Sequence, residues 1–560
     1  MLFYDFEVFM YDWLVVFKYK DNYKVIVNDK NELEKFIKEN KKILVGFNNY
    51  YYDDVILKAI LTNQNSYKIS QKLINGQRNN LYSTILSLDV KQELLGNISL
   101  KSIEANLGDN IIETAVDFNI KRPLTNEEIN RTIQYCKNDV DTTEKIFKLR
   151  EDYFQSKLDL IKAFNLNLYN LKKTRARLSA LILNSYEIKQ RADRLHCHII
   201  PEIDQSKIPD EVLNFYNKIV ADYKAGGNFE DIEKRSLKIN LAGVEHVFAF
   251  GGLHGAIKNY KGEGHYLNVD VSSFYPNLMI NFNFLSRASR TPELFEDIKN
   301  IRMDLKKKKD PKQGIYKIVL NSTYGAMKDQ YNNLFDPLMA NNICINGQLI
   351  LTELIYNLSK VSEIIQSNTD GVLIKYKNID DVKNIINDFE HKFKLKLDMD
   401  KIKKVIQRDV NNYIVEFENG KIKAKGEFGR FGDYKMNNLS IISIALKEYY
   451  INNKTIEETV LNEWKNNNLL PFQIICKMGR TFQKMVYEYN GKIIETQKVN
   501  RAFATNNEKY GGIYKVKNDK LNKIPNTSNN MIIFNENIKK FNKNNIDLNF
   551  YIELIKKKIF

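Results

Sequence analysis

The first 150 residues alternate strand-like and helix-like stretches, the pattern of an α/β domain. Short runs rich in apolar, β-branched and aromatic residues at 2–8, 14–19, 23–27 and 43–47 predict strands. Helical stretches fall at 32–39, 100–106 and 127–150, the last opening at Thr125 with Glu128 at capping-box spacing. Residues from about 151 to 245 read as mostly helical and polar. Phe250-Gly251-Gly252-Leu253-His254-Gly255 reads as a Gly-rich turn at a domain joint. A mixed unit follows from Tyr266 to about Leu397. Inside it two helices, 293–309 and 313–327, break at Asp310-Pro311 to form a helical hairpin. Beyond it, strands at 412–417 and 421–425 give way to helices and loops.

Length and charge narrow this picture. A chain of 560 residues is too long for one core and predicts three to five structural units. With 43% hydrophobic and 12% aromatic residues it has ample material for folded domains. A formal charge of +16 favours a polyanionic partner, nucleic acid first, because clustered Lys and Arg gain affinity by releasing condensed counterions. Cys136, Cys197, Cys344 and Cys476 stand in no metal-ligand spacing and read as reduced thiols of a cytosolic protein. His196-Cys197-His198 lacks a second ligand pair at zinc spacing. The apolar start carries Asp5, Glu7 and Asp12 without a basic lead-in, against a signal peptide, and no run of about 18 uncharged apolar residues predicts a membrane span. The expected location is the cytoplasm, that of a host cell if the gene is viral.

The candidate chemistry begins with two aspartates at predicted strand ends. Asp270 closes His265-Tyr266-Leu267-Asn268-Val269-Asp270, and Asp370 follows 100 residues later in Asn368-Thr369-Asp370-Gly371, a good hairpin-turn sequence between apolar strands. Two such carboxylates can hold a pair of divalent cations across a triphosphate. Between them, Lys317, Asn321 and Tyr324 fall at i, i+4 and i+7 on one helix face, with Gly325 leaving room for a template base. Arg302 and Lys306, again i and i+4, add cations for phosphates. Tyr275, held by Pro276, is placed to pack under an incoming sugar and exclude a 2′-hydroxyl.

A second acidic set lies near the start. Asp5 and Glu7 share one face of a strand, Asp53 follows Asn48-Asn49-Tyr50-Tyr51-Tyr52, and Tyr135 and Asp139 stand at i, i+4 on the long helix. Four carboxylates and a tyrosine suffice for two metals, an activated water and its positioning group, the requirements of phosphodiester hydrolysis.

These segments resemble the family B DNA polymerases of the small phage and plasmid type. Asp270-x-x-Ser273-Phe274-Tyr275-Pro276 is similar to motif A, Lys317-x-x-x-Asn321-Ser322-x-Tyr324-Gly325 to motif B, and Ser367-Asn368-Thr369-Asp370-Gly371 occupies the place of motif C. Asn368 replaces the first Asp of an Asp-Thr-Asp, removing one negative charge near the metals. Phe250-Gly251-Gly252 resembles the Gly-Gly connector of the family, and Asn411-Asn412-Tyr413 stands where relatives carry Lys-x-Tyr, followed by Lys425-Gly426. The N-terminal acids follow the order of the Exo I, II and III motifs of DEDDy 3′–5′ exonucleases, with Asn48 or Asn49 as the Exo II asparagine. Ser99-Leu100-Lys101-Ser102-Ile103 resembles the single-strand-binding motif, and Lys121 the catalytic-site lysine.

The resemblance implies an α+β multidomain protein: an RNase H-like α/β exonuclease domain, then a right-hand polymerase with an antiparallel-sheet palm, helical fingers and a thumb. The expected division is exonuclease 1–150, helical linker 151–260, palm 261–292, fingers 293–330, palm 331–400, and thumb with C-terminal region 401–560. It implies Mg²⁺, with Mn²⁺ as an alternative, two ions held at Asp270, Val271 and Asp370 and two at Asp5, Glu7, Asp53 and Asp139. Lys317, Asn321, Tyr324, Tyr275, Arg302, Lys306 and Ser273 would bind the nucleotide. Gly251, Gly252, Gly325, Ser99, Leu100, Asn49, Tyr413 and Lys425 would touch DNA. Partners implied are primer–template, single-stranded DNA and dNTPs, with a helicase, clamp or single-strand-binding protein as accessories to a monomer. The intervals around motif B leave no room for the inserts of protein-primed relatives, so priming by nucleic acid is expected. The rival readings are a 3′–5′ exonuclease whose polymerase half has decayed, motivated by Asn368, and a non-catalytic DNA-binding scaffold, motivated by charge alone.

Overall fold

The computed structural model describes residues 1–77, 81, 85–94, 96, 98–113, 116–187 and 193–560. The chain divides into two compact units, Met1–Thr174 with Arg430–Ile559, and Arg175–Gly429 with Phe560. Among the described residues no helix is long and apolar enough to cross a membrane.

In the first unit a five-stranded sheet runs in the order Asn22–Val27, Trp13–Tyr19, Leu2–Val8, Leu44–Gly46, Ser87–Asp89. The first three strands are antiparallel and the last two join in parallel. Leu2, Tyr4, Phe6 and Val8 enter a core with Val15, Phe17, Leu33, Ile56 and Ile60. Strand alternation therefore turns Asp5 and Glu7 together to the opposite face. The helix Asn126–Leu149 packs on that sheet and starts with the expected capping box of Thr125 and Glu128.

Residues 430–559 complete this unit with a three-stranded sheet, Ile474–Lys477, Val499–Ala504 and Met531–Ile533, and a four-stranded sheet between residues 484 and 523. Arg501 ties the late segment to the early one. Its side chain is fully buried, and it donates to Gln473 Oε1 (2.9 Å), to the carbonyls of Glu536 (2.7 Å), Ala105 (3.2 Å) and Asp109 (2.9 Å). Burial pushes its pKa down to about 10, with Asp109 opposing.

The second unit is built on a nine-stranded, wholly antiparallel sheet. Its order is Ile422–Lys425, Asn412–Phe417, Leu397–Asp409, Tyr260–Val271, Gly371–Tyr376, Ser362–Asn368, Gly252–Ala256, Val244–Ala249, Ser236–Leu241. Against it lies the helix Pro337–Leu358, with Pro337 in its first turn and Asp336 capping Met339. Nineteen of its 22 residues are buried, as befits a helix apolar on nearly every side. Pro292–Lys307 and Gln313–Lys328 form the expected helical hairpin, which Arg175–Ile182 joins.

Two expectations about organisation change. The 151–260 stretch is not uniformly helical: Ser236–Leu241, Val244–Ala249 and Gly252–Ala256 are sheet strands. Leu237, Ile239 and Leu241 alternate there with Ser236, Lys238 and Asn240, the period of a strand rather than a helix. Phe250-Gly251 is a hairpin turn between two of these strands, because Ala249 pairs with Gly252, and the units part instead at 174/175 and 429/430. The 401–560 stretch is likewise divided, with 401–429 in the nine-stranded unit and 430–559 in the first.

Replacing Arg501 by Met leaves three backbone carbonyls and Gln473 without their donor, at a cost of about 3 kcal/mol. Calorimetric or circular-dichroism melting should show the first unit's transition several degrees lower. A change under about 0.5 kcal/mol, the range of an ordinary surface substitution, would show that this side chain does not join the two segments.

Candidate functional site

In the second unit the register of three strands assembles an acidic centre. Tyr260–Val271 ends with Asp270 opposite Gly371 on one neighbour and opposite Asp398 on the other. Asn368 and Gly371 close a two-residue hairpin with Thr369 and Asp370 at its tip, as the turn sequence predicts. The backbone N–H of Val271 donates to the carbonyl of Asp370 at 2.7 Å. A Cβ on Gly371 would lie 1.8 Å from Asp270 Oδ1, so any side chain there would displace the carboxylate. Gly252 serves the same hairpin from the adjoining strand: at φ +132°, its missing side chain makes room for Thr369, whose Oγ1 would stand 2.8 Å from a Cβ.

Asp270 and Asp370 line two adjoining cavities. The larger, of about 610 Å³, also carries Arg302, Lys306, Lys317, Asn321, Tyr324, Tyr275, Ser273 and Asp398. All seven residues expected to bind a nucleotide therefore border one space. Tyr275 and Tyr324 meet at 4.5 Å between ring centroids. Arg302 is buried and donates through Nη1 to Ser273 Oγ at 2.6 Å, while its Nε has no partner among the described residues. Ser273, with φ +51°, sits in the left-handed region, the sharp bend by which the chain leaves Asp270 and enters the helix Phe274–Asn281. Lys306 lies 3.7 Å from Asp398.

The smaller cavity, of about 370 Å³, holds Asn368, Thr369, His254, Tyr413, Lys423 and Lys425 beside the same two aspartates. Tyr413 and Lys425 are cross-strand partners, and Tyr413 is buried. Asn368 accepts from Gln366 Nε2 at 3.3 Å. Gly251 and Gly325 have open space where a side chain would project. Burial raises the Asp270 carboxyl to about 6, helped by Asp370, against the Asn268 amide at 2.6 Å.

His254, Asp398 and Lys423 are neighbours that sequence reasoning left out. His254 Nε2 lies 3.4 Å from Thr369 Oγ1, and burial followed by Lys425 holds its pKa below the ordinary imidazole value, with Asp370 opposing. Asp398 and Lys423 enter only through strand pairing, which local periodicity does not specify.

The first unit carries the other acidic centre. Asp5 and Glu7 project from Leu2–Val8, Asp53 opens the helix Asp53–Leu61 and accepts from the Phe6 N–H at 3.1 Å, and Tyr135 and Asp139 come from Asn126–Leu149. Burial raises the Asp5 carboxyl to about 7, with Asp139 adding to it, and raises Glu7, Asp53 and Asp139 as well. Glu104 is raised to about 7, chiefly by burial.

Among the described residues, the cation beside these acids is Lys101. It pairs with Asp139, lies 3.3 Å from Glu104, and sits 4.4 Å from the Tyr135 ring centroid. Lys121, the lysine expected in this role, is exposed on the loop before the long helix. Cys136 adds a buried thiol whose Sγ lies 3.5 Å from Asp5 Oδ2; donor atoms of Asp5, Glu7 and Cys136 fall within 4.8 Å of one another.

Of the asparagines, Asn48 keeps a half-buried side chain with φ +63°, its N–H on Asp89 at 2.7 Å. Asn49, expected to touch DNA, is instead fully buried, because its amide donates to Asp54 at 3.2 Å inside the core. Asp54 is turned away from the acidic centre, bound by Tyr4, Ser87 and Lys172. Ser99 is exposed and caps the helix Leu100–Leu107 through the Ser102 N–H at 3.2 Å, with Leu100 half-buried beside it.

Both centres offer hard carboxylate oxygens, the donor chemistry of Mg²⁺ or Mn²⁺. In the first, four buried or partly buried acids and Glu104 meet one lysine among the described residues, an excess of carboxyl groups that small divalent cations would fit.

The raised Asp5 value has a consequence for stability. Between about pH 4 and about pH 7 the folded chain keeps a proton there that the unfolded chain has lost, so raising pH through this window favours unfolding. In chelator, the first unit's melting point should fall from about pH 4 to about pH 7, and Asp5→Asn should flatten that fall. An unchanged slope in the variant would show that Asp5 is not buried among like charges.

No family model and no curated protein matches the chain. Among solved structures, it is similar to the family B DNA polymerase of the hyperthermophilic archaeon Pyrobaculum calidifontis, covering 100% of this chain and 77% of that one at 13% identity and a TM-score of 0.44.

Proposed function

We propose that the protein is a template-directed, primer-dependent DNA polymerase with a 3′–5′ exonuclease. The observation that carries this reading is the position of Asp270 and Asp370, shared by two cavities of different lining. One is rimmed by Arg302, Lys306, Lys317 and two tyrosines, fitting a triphosphate, sugar and base. The other is rimmed by Lys423, Lys425 and His254, fitting the phosphate backbone at a primer end. A reaction joining the two ligands takes place where the cavities meet.

Magnesium, or manganese in its place, held by Asp270 and Asp370 would make the primer hydroxyl more acidic and offset charge on the triphosphate. The chain supplies the rest. Lys317 and Arg302 bind phosphate oxygens, and Ser273 fixes the guanidinium that does so. Tyr275, packed on Tyr324, blocks the 2′ position of the sugar, and Asn321 with Tyr324 lines the side where the new base pair lies. Lys425 and Lys423 hold the primer strand. In the first unit, Asp5, Glu7, Asp53 and Asp139 provide a divalent-ion site for hydrolysis, Lys101 sets the position of Asp139, and Tyr135 orients the water.

Asn368 favours a second reading, an exonuclease with a degenerate polymerase centre. Against it stands the retention of both aspartates and the whole basic rim around one cavity.

Extension of a primed template separates these readings. Asp370→Ala should lower extension at least about 100-fold, the scale of losing one group that stabilises transition-state charge, while sparing degradation of single strands. Asn368→Asp should retain or increase extension. The double variant Asp5→Ala, Asp53→Ala should lose degradation and keep extension. Absence of extension by the unsubstituted protein with either Mg²⁺ or Mn²⁺ would decide for the second reading.

A further inference from the structure

Four strands between residues 484 and 523 form a separate antiparallel sheet in the first unit, ordered Lys492–Thr496, Lys484–Tyr489, Tyr510–Lys517, Lys520–Lys523. No residue assigned above lies on it. Its four strands carry six lysines against two acids, so the sheet is strongly basic.

Strand alternation puts Tyr487 and Tyr489 on one face. Register places Lys492 and Tyr510 on either side of Tyr489, and Ile494 beside Tyr487. The Tyr487 and Tyr489 rings stack with centroids 6.2 Å apart and planes 28° from parallel, and Tyr510 lies 5.3 Å from Tyr489. Lys509 Nζ stands 4.9 Å from the Tyr510 ring centroid. None of the three rings is fully covered; Lys492 and Lys509 are exposed, and Ile494 is 44% exposed. With strands about 4.8 Å apart, three of them make a platform about 10 Å across.

We propose that this tyrosine–lysine face binds single-stranded nucleic acid, bases stacking on Tyr489 and Tyr510 and phosphates meeting Lys492 and Lys509. Partly open aromatic rings among lysines suit a strand whose bases are free to stack; a duplex keeps its base faces covered. An acidic protein would satisfy the lysines and leave the rings unused. The inference concerns binding and stands apart from the chemistry at Asp270 or Asp5.

The test uses the full chain in chelator with an oligothymidylate carrying 5-iodouracil. Photocrosslinks should map to residues 484–523 of the unsubstituted protein. In anisotropy titrations, Tyr489→Ala with Tyr510→Ala should weaken single-strand binding about 10-fold or more, as loss of base stacking does, with duplex binding unchanged. Lys492→Gln with Lys509→Gln should reduce the slope of log affinity against log salt by about 1.4, two phosphate contacts at about 0.7 each. Melting points matching the unsubstituted protein establish that the variants fold. Crosslinks confined to other segments, unchanged affinity in both variants, or polyglutamate binding as tight as the oligonucleotide would each overturn the proposal.

Discussion

The second unit depends on a sheet register that forces like charges together. Asp270 stands on the central strand with Gly371 on one side and Asp398 on the other, and the hairpin tip returns Asp370 to the same place. Keeping Asp270 half-buried beside Asp370 costs free energy, visible in its carboxyl, which burial first and Asp370 second raise to about 6. The backbone bond from Val271 to Asp370, and a glycine where any side chain would intrude on Asp270, keep the two segments side by side. Lys306, Lys317, Arg302, Lys423 and Lys425 bring positive charge to the rims of the two cavities that these aspartates line.

The first unit reaches a comparable state by a different route. There, alternation along Leu2–Val8 sends four apolar side chains to the core and two acids the other way, and two helices add Asp53 and Asp139. Its acids are more deeply enclosed and share one lysine, so their charges are more strongly suppressed than that of Asp270. The Arg501 contacts give this unit its unusual composition, since they join the loop and helix near residue 105 to strands almost 400 positions later.

Much of this was legible wherever the deciding interactions are local. The N-terminal strands, the capping box at Thr125, the hairpin at Asn368–Gly371 and the helix break at Asp310-Pro311 all follow from side-chain period or turn chemistry. That Lys317, Asn321 and Tyr324 border one cavity was legible for the same reason, because helix spacing puts them on one face. What escaped was set by pairing between distant segments. Asp398, Lys423 and His254 reach the centre through strand register, and Lys101 reaches Asp139 through packing of one helix against another. Asn49 was misplaced because two adjacent asparagines present the same sequence signal, while only packing shows which is buried. The membership of residues 430–559 in the first unit had no local signal at all.

The proposed polymerase chemistry requires a divalent ion to bind between Asp270 and Asp370. Fe²⁺ bound in place of Mg²⁺, activated with ascorbate and peroxide, cuts the backbone beside its site, so mapping those cuts tests the claim directly. Cuts near residues 270, 370 and 398 that disappear on adding excess Mg²⁺, and in Asp370→Asn, are the expected result. No cleavage at these segments, with the first unit's acidic centre cut normally, would contradict it.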